Sequence, residues 1–141
     1  MYEKFIWTEK YSVNVAEIDA QHQKFISICN HLLESADSAE TITRKEALIG
    51  IEMLGDYAFY HLATEEELFL KLNYPNTREH IESHQQFREK TKYLIAKIRD
   101  EHNDIRETLQ EAAMFAGNWL LHHIMTTDKE YTEFFNQHGI I

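Results

Sequence analysis

The chain predicts an all-α fold: an antiparallel up-down-up-down four-helix bundle with an N-terminal arm and a short C-terminal helix. Three observations carry this. Apolar residues recur at steps of three and four through four long segments, the period of a buried helical face. One proline and four glycines in 141 residues leave little turn material for a β-rich fold. The polar breaks, such as Asn73-Tyr74-Pro75 and Asp100-Glu101-His102-Asn103-Asp104, are short. Short loops make consecutive helices antiparallel neighbours. One domain spanning 1–141 is expected, with an arm over 1–17, the bundle over 18–127 and a tail over 128–141.

The arm lacks a helical period and carries aromatic anchors at Phe5, Trp7 and Tyr11. Helix A is expected over 18–36, opened by Asp19 or a residue near it, on the stripe Ile18, His22, Phe25, Cys29, Leu32 and Ala36. Helix B is expected over 42–72, with Thr41 or Thr43 as its cap. Its stripe is Ala47, Ile51, Leu54, Ala58, His61, Glu65, Leu68 and Leu72, and Pro75 prevents its continuation. Helix C is expected over 77–100 on His80, His84, Phe87, Thr91, Leu94 and Ile98. Helix D is expected over 104–127 on Ile105, Leu109, Ala112, Ala116, Trp119, His123 and Thr127. A short amphipathic tail with Tyr131, Phe134 and Phe135 follows.

Composition narrows the function. A formal net charge of −10 argues against a nucleic-acid partner. No window reaches the roughly 18 apolar residues of a membrane span, so no membrane insertion is expected. The N-terminal stretch does not read as a secretory signal, and the single cysteine, Cys29, cannot form an internal disulfide. A cytoplasmic protein is the resulting expectation. Cys29 falls on the buried face of helix A and reads as core. The sequence does not identify a protein partner, and the acidic surface leaves one open.

Five of the nine histidines lie on the apolar stripes: His22, His61, His80, His84 and His123. Glu65 follows His61 at i+4, as His84 follows His80, so each pair shares a helical face. In an up-down-up-down bundle the start of A, the end of B, the start of C and the end of D meet at one end. All these residues then lie about 5–10 Å from that end, at about 1.5 Å per residue. Burying them without partners would cost several kcal/mol; bound metal supplies partners for all. With Asp128, seven such ligands exceed what one ion needs and suit a bridged pair. Imidazole plus carboxylate suits iron, zinc, copper or nickel. The HExxH zinc-protease pattern is absent, because His80-Ile81-Glu82-Ser83-His84 places its glutamate two residues after the first histidine. Neither Glu-x-x-His copy of the ferritin-like enzymes is present.

Two details complete the reading. His122 lies about 100° off the stripe that passes through His123 and is taken as a flank. His123 and Asp128 are five residues apart, about 140° on an ideal helix, so helix D should end, tighten or bulge between Ile124 and Asp128.

The stretches Trp7…Tyr11…Ile18-Asp19-Ala20-Gln21-His22, His61-Leu62-Ala63-Thr64-Glu65-Glu66, Tyr74-Pro75…His80-x3-His84 and Trp119…His123-Ile124-x3-Asp128 resemble the bacterial hemerythrins over nearly the whole chain. The resemblance implies two iron ions. His80, His84 and His123 would bind one, and His22 and His61 the other. Glu65, Asp128 and an oxo or hydroxo group would bridge them. The second iron would then keep one open position, where dioxygen binds reversibly, in storage or transport rather than catalysis. Phe25, Leu62, Trp119, Leu120 and Ile124 are the expected lining of that oxygen pocket. An oxygen or redox sensor, and a di-iron oxidase or nitric-oxide-handling protein, are the alternatives. The family often has phenylalanine where this chain has Leu62, and glycine where it has Asn14.

Overall fold

The computed structural model describes residues 2–38 and 40–141. Four long helices form the bundle: α1 (Ala16–Asp37), α2 (Arg44–Leu72), α3 (Thr77–Arg99) and α4 (Ile105–Thr126). A single 3-10 turn, Glu9–Tyr11, sits in the arm. After α4, a 3-10 turn (Asp128–Tyr131) leads into α5 (Thr132–Gln137). α1 packs against α2 and α4, and α3 against α2 and α4, which is the antiparallel ring expected from short loops. Among the described residues, no helix is long and apolar enough to cross a membrane.

Local chemistry sets the helix ends. Thr43 rather than Thr41 caps α2, its side chain accepting from the Glu46 amide at 3.1 Å. Asp104 caps α4 in the same way through Glu107, at 2.8 Å. α2 ends on Asn73 in the left-handed region (φ 54°), just ahead of Pro75. At the far end, Arg44 donates to the carbonyls of Ile98 and Asn103 at 3.0 and 2.7 Å. This ties the start of α2 to the α3–α4 connection.

Asp19 does not cap α1. The helix starts earlier, with Val15 at its N-cap and no side-chain cap. Asp19 instead sits inside the first turn and accepts from the Ser12 hydroxyl at 2.5 Å and the Val13 amide at 2.8 Å. Its role is to pin the arm. Between them Asn14 adopts φ 56°. Glycine enters that region freely, and asparagine tolerates it best among the rest, so Asn14 can occupy a position where glycine is common.

The arm is held at three more places. The Phe5 backbone exchanges two hydrogen bonds with the Asn30 side chain, at 2.8 and 2.9 Å. Thr132 and Asn136 of the tail donate to the Val13 and Asn14 carbonyls, at 2.9 and 3.1 Å. The Phe5 ring lies on Gly117 of α4, where a Cβ would stand only 2.2 Å from it.

The stripes of α1 and α3 are buried at every expected position. α2 departs from expectation after Glu65: Phe69 is fully buried, whereas Leu68 and Leu72 are only partly so. Phe69 wins because Tyr74, His80, Tyr131 and Phe135 all come within 6 Å of it, ring centre to ring centre. α4 buries a wider face than expected, adding Thr108, Ala113, Gly117, Leu120 and Ile124, while Ile105, Trp119 and Thr127 stay partly exposed.

Gly117→Ala should expel the Phe5 ring and cost about 1–3 kcal/mol, as overpacking does. Phe5→Ala in the same chain should recover part of that loss. Urea unfolding of the single and double variants, with tryptic cleavage of the arm as a second readout, checks this. A double variant no more stable than Gly117→Ala would place the strain elsewhere.

Candidate metal centre

Each helix brings its candidate ligands to the same end of the bundle. His22 lies in the second turn of α1. His61 and Glu65 lie near the end of α2, and His80 and His84 near the start of α3. α4 delivers His123 and then stops at Thr126. Thr127 leaves helical geometry (φ −126°, ψ −54°), and Asp128 opens the next 3-10 turn with its carboxylate inward. The expected break between Ile124 and Asp128 is therefore a helix end followed by a tighter turn. His22, His61, Glu65, His84 and Asp128 have no exposure, and His80 and His123 have 2 %. His122, by contrast, is exposed.

The donor atoms fall into two overlapping groups. Glu65, His80, His84, His123 and Asp128 form one, and His22, His61, Glu65 and Asp128 form the other. Within each, one ligand atom per residue lies within 4.8 Å of all the others. Glu65 and Asp128 belong to both.

The contacts inside these groups suit cation ligation better than hydrogen bonding. Nε2 of His80 and Nε2 of His123 stand 3.0 Å apart, and each is 3.0 Å from Oδ1 of Asp128. Donors at right angles around one ion, with bonds of about 2.1 Å, are separated by about 3.0 Å. Nε2 of His22, His61 and His84, Oε1 of Glu65 and both Asp128 oxygens are buried with no hydrogen-bond partner. Each such orphan costs about 1–3 kcal/mol if left so. A cation between them satisfies the whole set, so the residues present fit a di-metal site.

Outside the cluster, side chains orient the rings. Nδ1 of His61 lies 2.8 Å from Oε1 of Gln21, Nδ1 of His84 lies 2.8 Å from Oε2 of Glu66, and Nδ1 of His123 lies 3.0 Å from Oγ of Ser83. An Nδ1–H donated outward leaves the Nε2 lone pair facing inward, which is the tautomer a metal needs. The Tyr131 hydroxyl donates to Oε2 of Glu65 at 2.5 Å. Gln21, Glu66 and Ser83 each adjoin a ligand in sequence, and Tyr131 follows Asp128 by three. None was singled out as a ring-orienting partner from the sequence, and only that adjacency could have flagged them.

Two of the expected pocket residues lie against different groups of the cluster. Phe25 presents its ring edge-on to His61, at 6.3 Å between centres. Trp119 instead stacks on His123 at 4.3 Å and faces Phe87 at 4.7 Å, which puts it with the three-histidine group. Leu62, Leu120 and Ile124 are fully buried. Trp7 of the arm lies 6.3 Å from His22. On the other side, His80 and Ser83 line a cleft with Asn76, Glu79, Thr127 and Glu130.

Electrostatics without metal are uneven. Burial drives His61 down to about 3 against the pull of Glu65. Burial also opposes charge on His84, but the Glu65 carboxylate facing it and the Glu66 carboxylate bonded to it outweigh that and raise this group to about 9. Burial and the Asp128 charge push the Glu65 carboxyl up, yet His61 and His84 hold it at about 2. Asp128 is held well below its ordinary range, against burial, by His123, His22 and His80. Burial, with Asp128 and Glu65 nearby, pushes the Tyr131 phenol well up, so it stays a neutral donor.

These shifts shape the stability of the metal-free protein. His61 is depressed from 6.5, so the unfolded chain takes its proton first and stability falls as pH drops below about 6.5. His84 is raised from 6.5 to about 9, so its contribution is complete below about 6.5 and is lost as pH rises through 9. The Tm of metal-free protein should therefore peak near pH 6.5 and fall on both sides. Melts across that range test it, and a Tm that keeps climbing towards pH 9 would contradict it.

The hemerythrin HHE cation binding domain matches residues 13–135 of this chain. The bacteriohemerythrin of Clostridium acetobutylicum is 25% identical over 130 residues, covering 92% of this chain and 99% of that one. A hemerythrin-like protein of Naegleria gruberi is 28% identical over 128 residues, covering 90% of each. The crystal structure of a wild-type hemerythrin superposes with a TM-score of 0.77 at 28% identity, over 92% of this chain and 95% of that one.

Proposed function

This chain belongs to the hemerythrin family, and we propose that its buried centre holds two iron ions and binds dioxygen reversibly, for storage or transport. The observation that carries the reading is the split of seven buried ligands into groups of three and two histidines sharing Glu65 and Asp128. In this assignment His80, His84 and His123 hold one ion, and His22 and His61 the other. Both carboxylates and a solvent-derived bridge complete the donor set. The ion held by His22 and His61 would have one protein ligand fewer, and dioxygen would bind there. When bound, a ferrous pair supplies the electrons that make dioxygen binding reversible.

The protein's own residues supply the rest. Gln21 fixes the His61 ring, and Tyr131 holds the Glu65 carboxylate through its hydroxyl. Phe25 places apolar surface beside His61 in the two-histidine half, and a dry surface there limits proton delivery. Tyr131 is held neutral and committed to Glu65, which makes it a poor acid. That supports binding over catalysis.

Anaerobic reconstitution, followed by cycles of oxygen and vacuum, tests the function. A carrier regenerates its deoxy spectrum through repeated cycles. Steady accumulation of oxidised protein, or consumption of reductant, would instead mark a sensor or an oxidase.

His61→Ala should abolish oxygen binding and lose one iron first, whereas His84→Ala should weaken the other ion. Iron content and oxygen titration of both variants separate these outcomes. Oxygen binding undiminished in His61→Ala would refute the placement of the free position. Leu62→Phe should slow the loss of reversible binding if Leu62 lines that position, provided the ring fits. The decay of the oxygenated spectrum, beside the Tm, measures this.

A further inference from the structure

The two halves of the cluster are oriented by chemically different partners. On the two-histidine half, His61 donates to the neutral amide oxygen of Gln21 at 2.8 Å. On the other half, His84 donates to a carboxylate, Oε2 of Glu66, at 2.8 Å. Glu66 is itself clamped from outside by a two-pronged ion pair. Arg88 Nη1 donates to Oε2 at 2.8 Å and Nη2 to Oε1 at 2.9 Å. The third outward partner, Ser83 at His123, is neutral.

Helix geometry builds the arrangement. Glu65 and Glu66 are neighbours on α2, so their side chains diverge by about 100°. Glu65 enters the cluster while Glu66 leans towards α3. Arg88 follows His84 by one helical turn on α3, so both reach the same carboxylate. A carboxylate that accepts an Nδ1–H draws the proton towards itself and raises the electron density at Nε2. An amide oxygen does so less, because it carries no charge. Arg88 tempers the effect by neutralising part of the Glu66 charge while fixing its direction.

We propose that Glu66, held by Arg88, is a positioning residue that makes the centre electronically asymmetric, strengthening His84 as a donor and favouring the higher oxidation state at the ion bound by His80, His84 and His123. This rests on reading the cluster as a two-metal centre. The consequence is a division of labour. His80, His84 and His123 would better stabilise an oxidised ion, and His22 and His61 would hold theirs more weakly.

Charge and structure make opposite forecasts for two variants. Glu66→Gln keeps a hydrogen-bonding group but removes the negative charge. Arg88→Gln keeps a donor to Glu66 but removes the neutralising positive charge. If Glu66 acts through charge, the midpoint potential of the di-iron protein rises in Glu66→Gln and falls in Arg88→Gln. If it merely props the ring, both shift in the same direction. Both side chains keep some exposure, 18 % and 19 %, so the bundle should tolerate either change.

Cobalt(II) titrated into the metal-free full-length chain provides a readout independent of oxygen. The unaltered protein should take two ions per chain. Binding of none overturns the two-metal reading, and the proposal with it. Given two, Glu66→Gln should weaken one of them about 10–100-fold, and Glu66→Asp should recover part of the loss. The Tm of each metal-free variant confirms that the fold is intact. Cobalt affinity unchanged in Glu66→Gln, or potentials that move together in the two variants, would overturn the role of Glu66 while leaving the two-metal reading in place.

Discussion

Seven ionisable side chains, nearly all without solvent exposure, meet inside one end of this bundle, and the rest of the architecture answers to that demand. Their inward atoms cannot satisfy one another. Two imidazole nitrogens facing at 3.0 Å, each 3.0 Å from the same carboxylate oxygen, have no consistent hydrogen-bonding pattern. A shared cation resolves the conflict, provided every ring presents its lone pair inward. The bundle secures this from outside for three of the five rings, with an amide at His61, a carboxylate at His84 and a hydroxyl at His123. Each of those three contacts crosses between helices. The metal centre and the helix registry are therefore specified together.

The terminal segments serve the same end. α4 must stop at Thr126, because a continuous helix would turn Asp128 away from His123. The 3-10 turn that follows carries Tyr131 back to Glu65, and α5 then lays Phe135 over Phe69. From the opposite end of the chain, the arm passes Trp7 near His22 and is tied down by Asp19, Asn30, Thr132 and Asn136. Arm and tail thus grip each other through Val13 and Asn14. The strained backbone of Asn14 is retained where that grip requires it.

Legibility in the sequence followed the range of each interaction. α1 and α3 could be read position by position, since a long helix packed on one side keeps a regular stripe. The clustering of the seven polar side chains could be read too, because most of them sit on apolar stripes at helical spacing. Phe69 could not, because its burial depends on Tyr131 and Phe135, more than sixty residues away. The wider face of α4 was hidden for the same reason: Phe5 reaches Gly117 across the whole chain. Asp19 looked like a cap because acidic residues near a helix start usually are one. The arm that it binds has no periodic signal to reveal itself. Gln21, Glu66 and Ser83 stood beside ligands in plain view, but which side chain a neighbour meets is decided by the facing helix.

Access to the centre is as uneven as its support. His80 and Ser83 border a cleft whose rim carries Glu79 and Glu130, so the three-histidine half lies one side chain from water and from negative charge. The two-histidine half has no exposed ligand, with Phe25 edge-on to His61 and Trp7 beside His22. Hydrated ions are poorly matched to an approach past aromatic rings, since stripping their water costs far more than weak ring contacts return. A small neutral molecule pays no such penalty. The half with two imidazoles is thus also the half whose surroundings suit an uncharged molecule better than a hydrated ion. The half beside the cleft is the one with three imidazoles. Fewer imidazoles and a drier surround coincide on one side of the cluster.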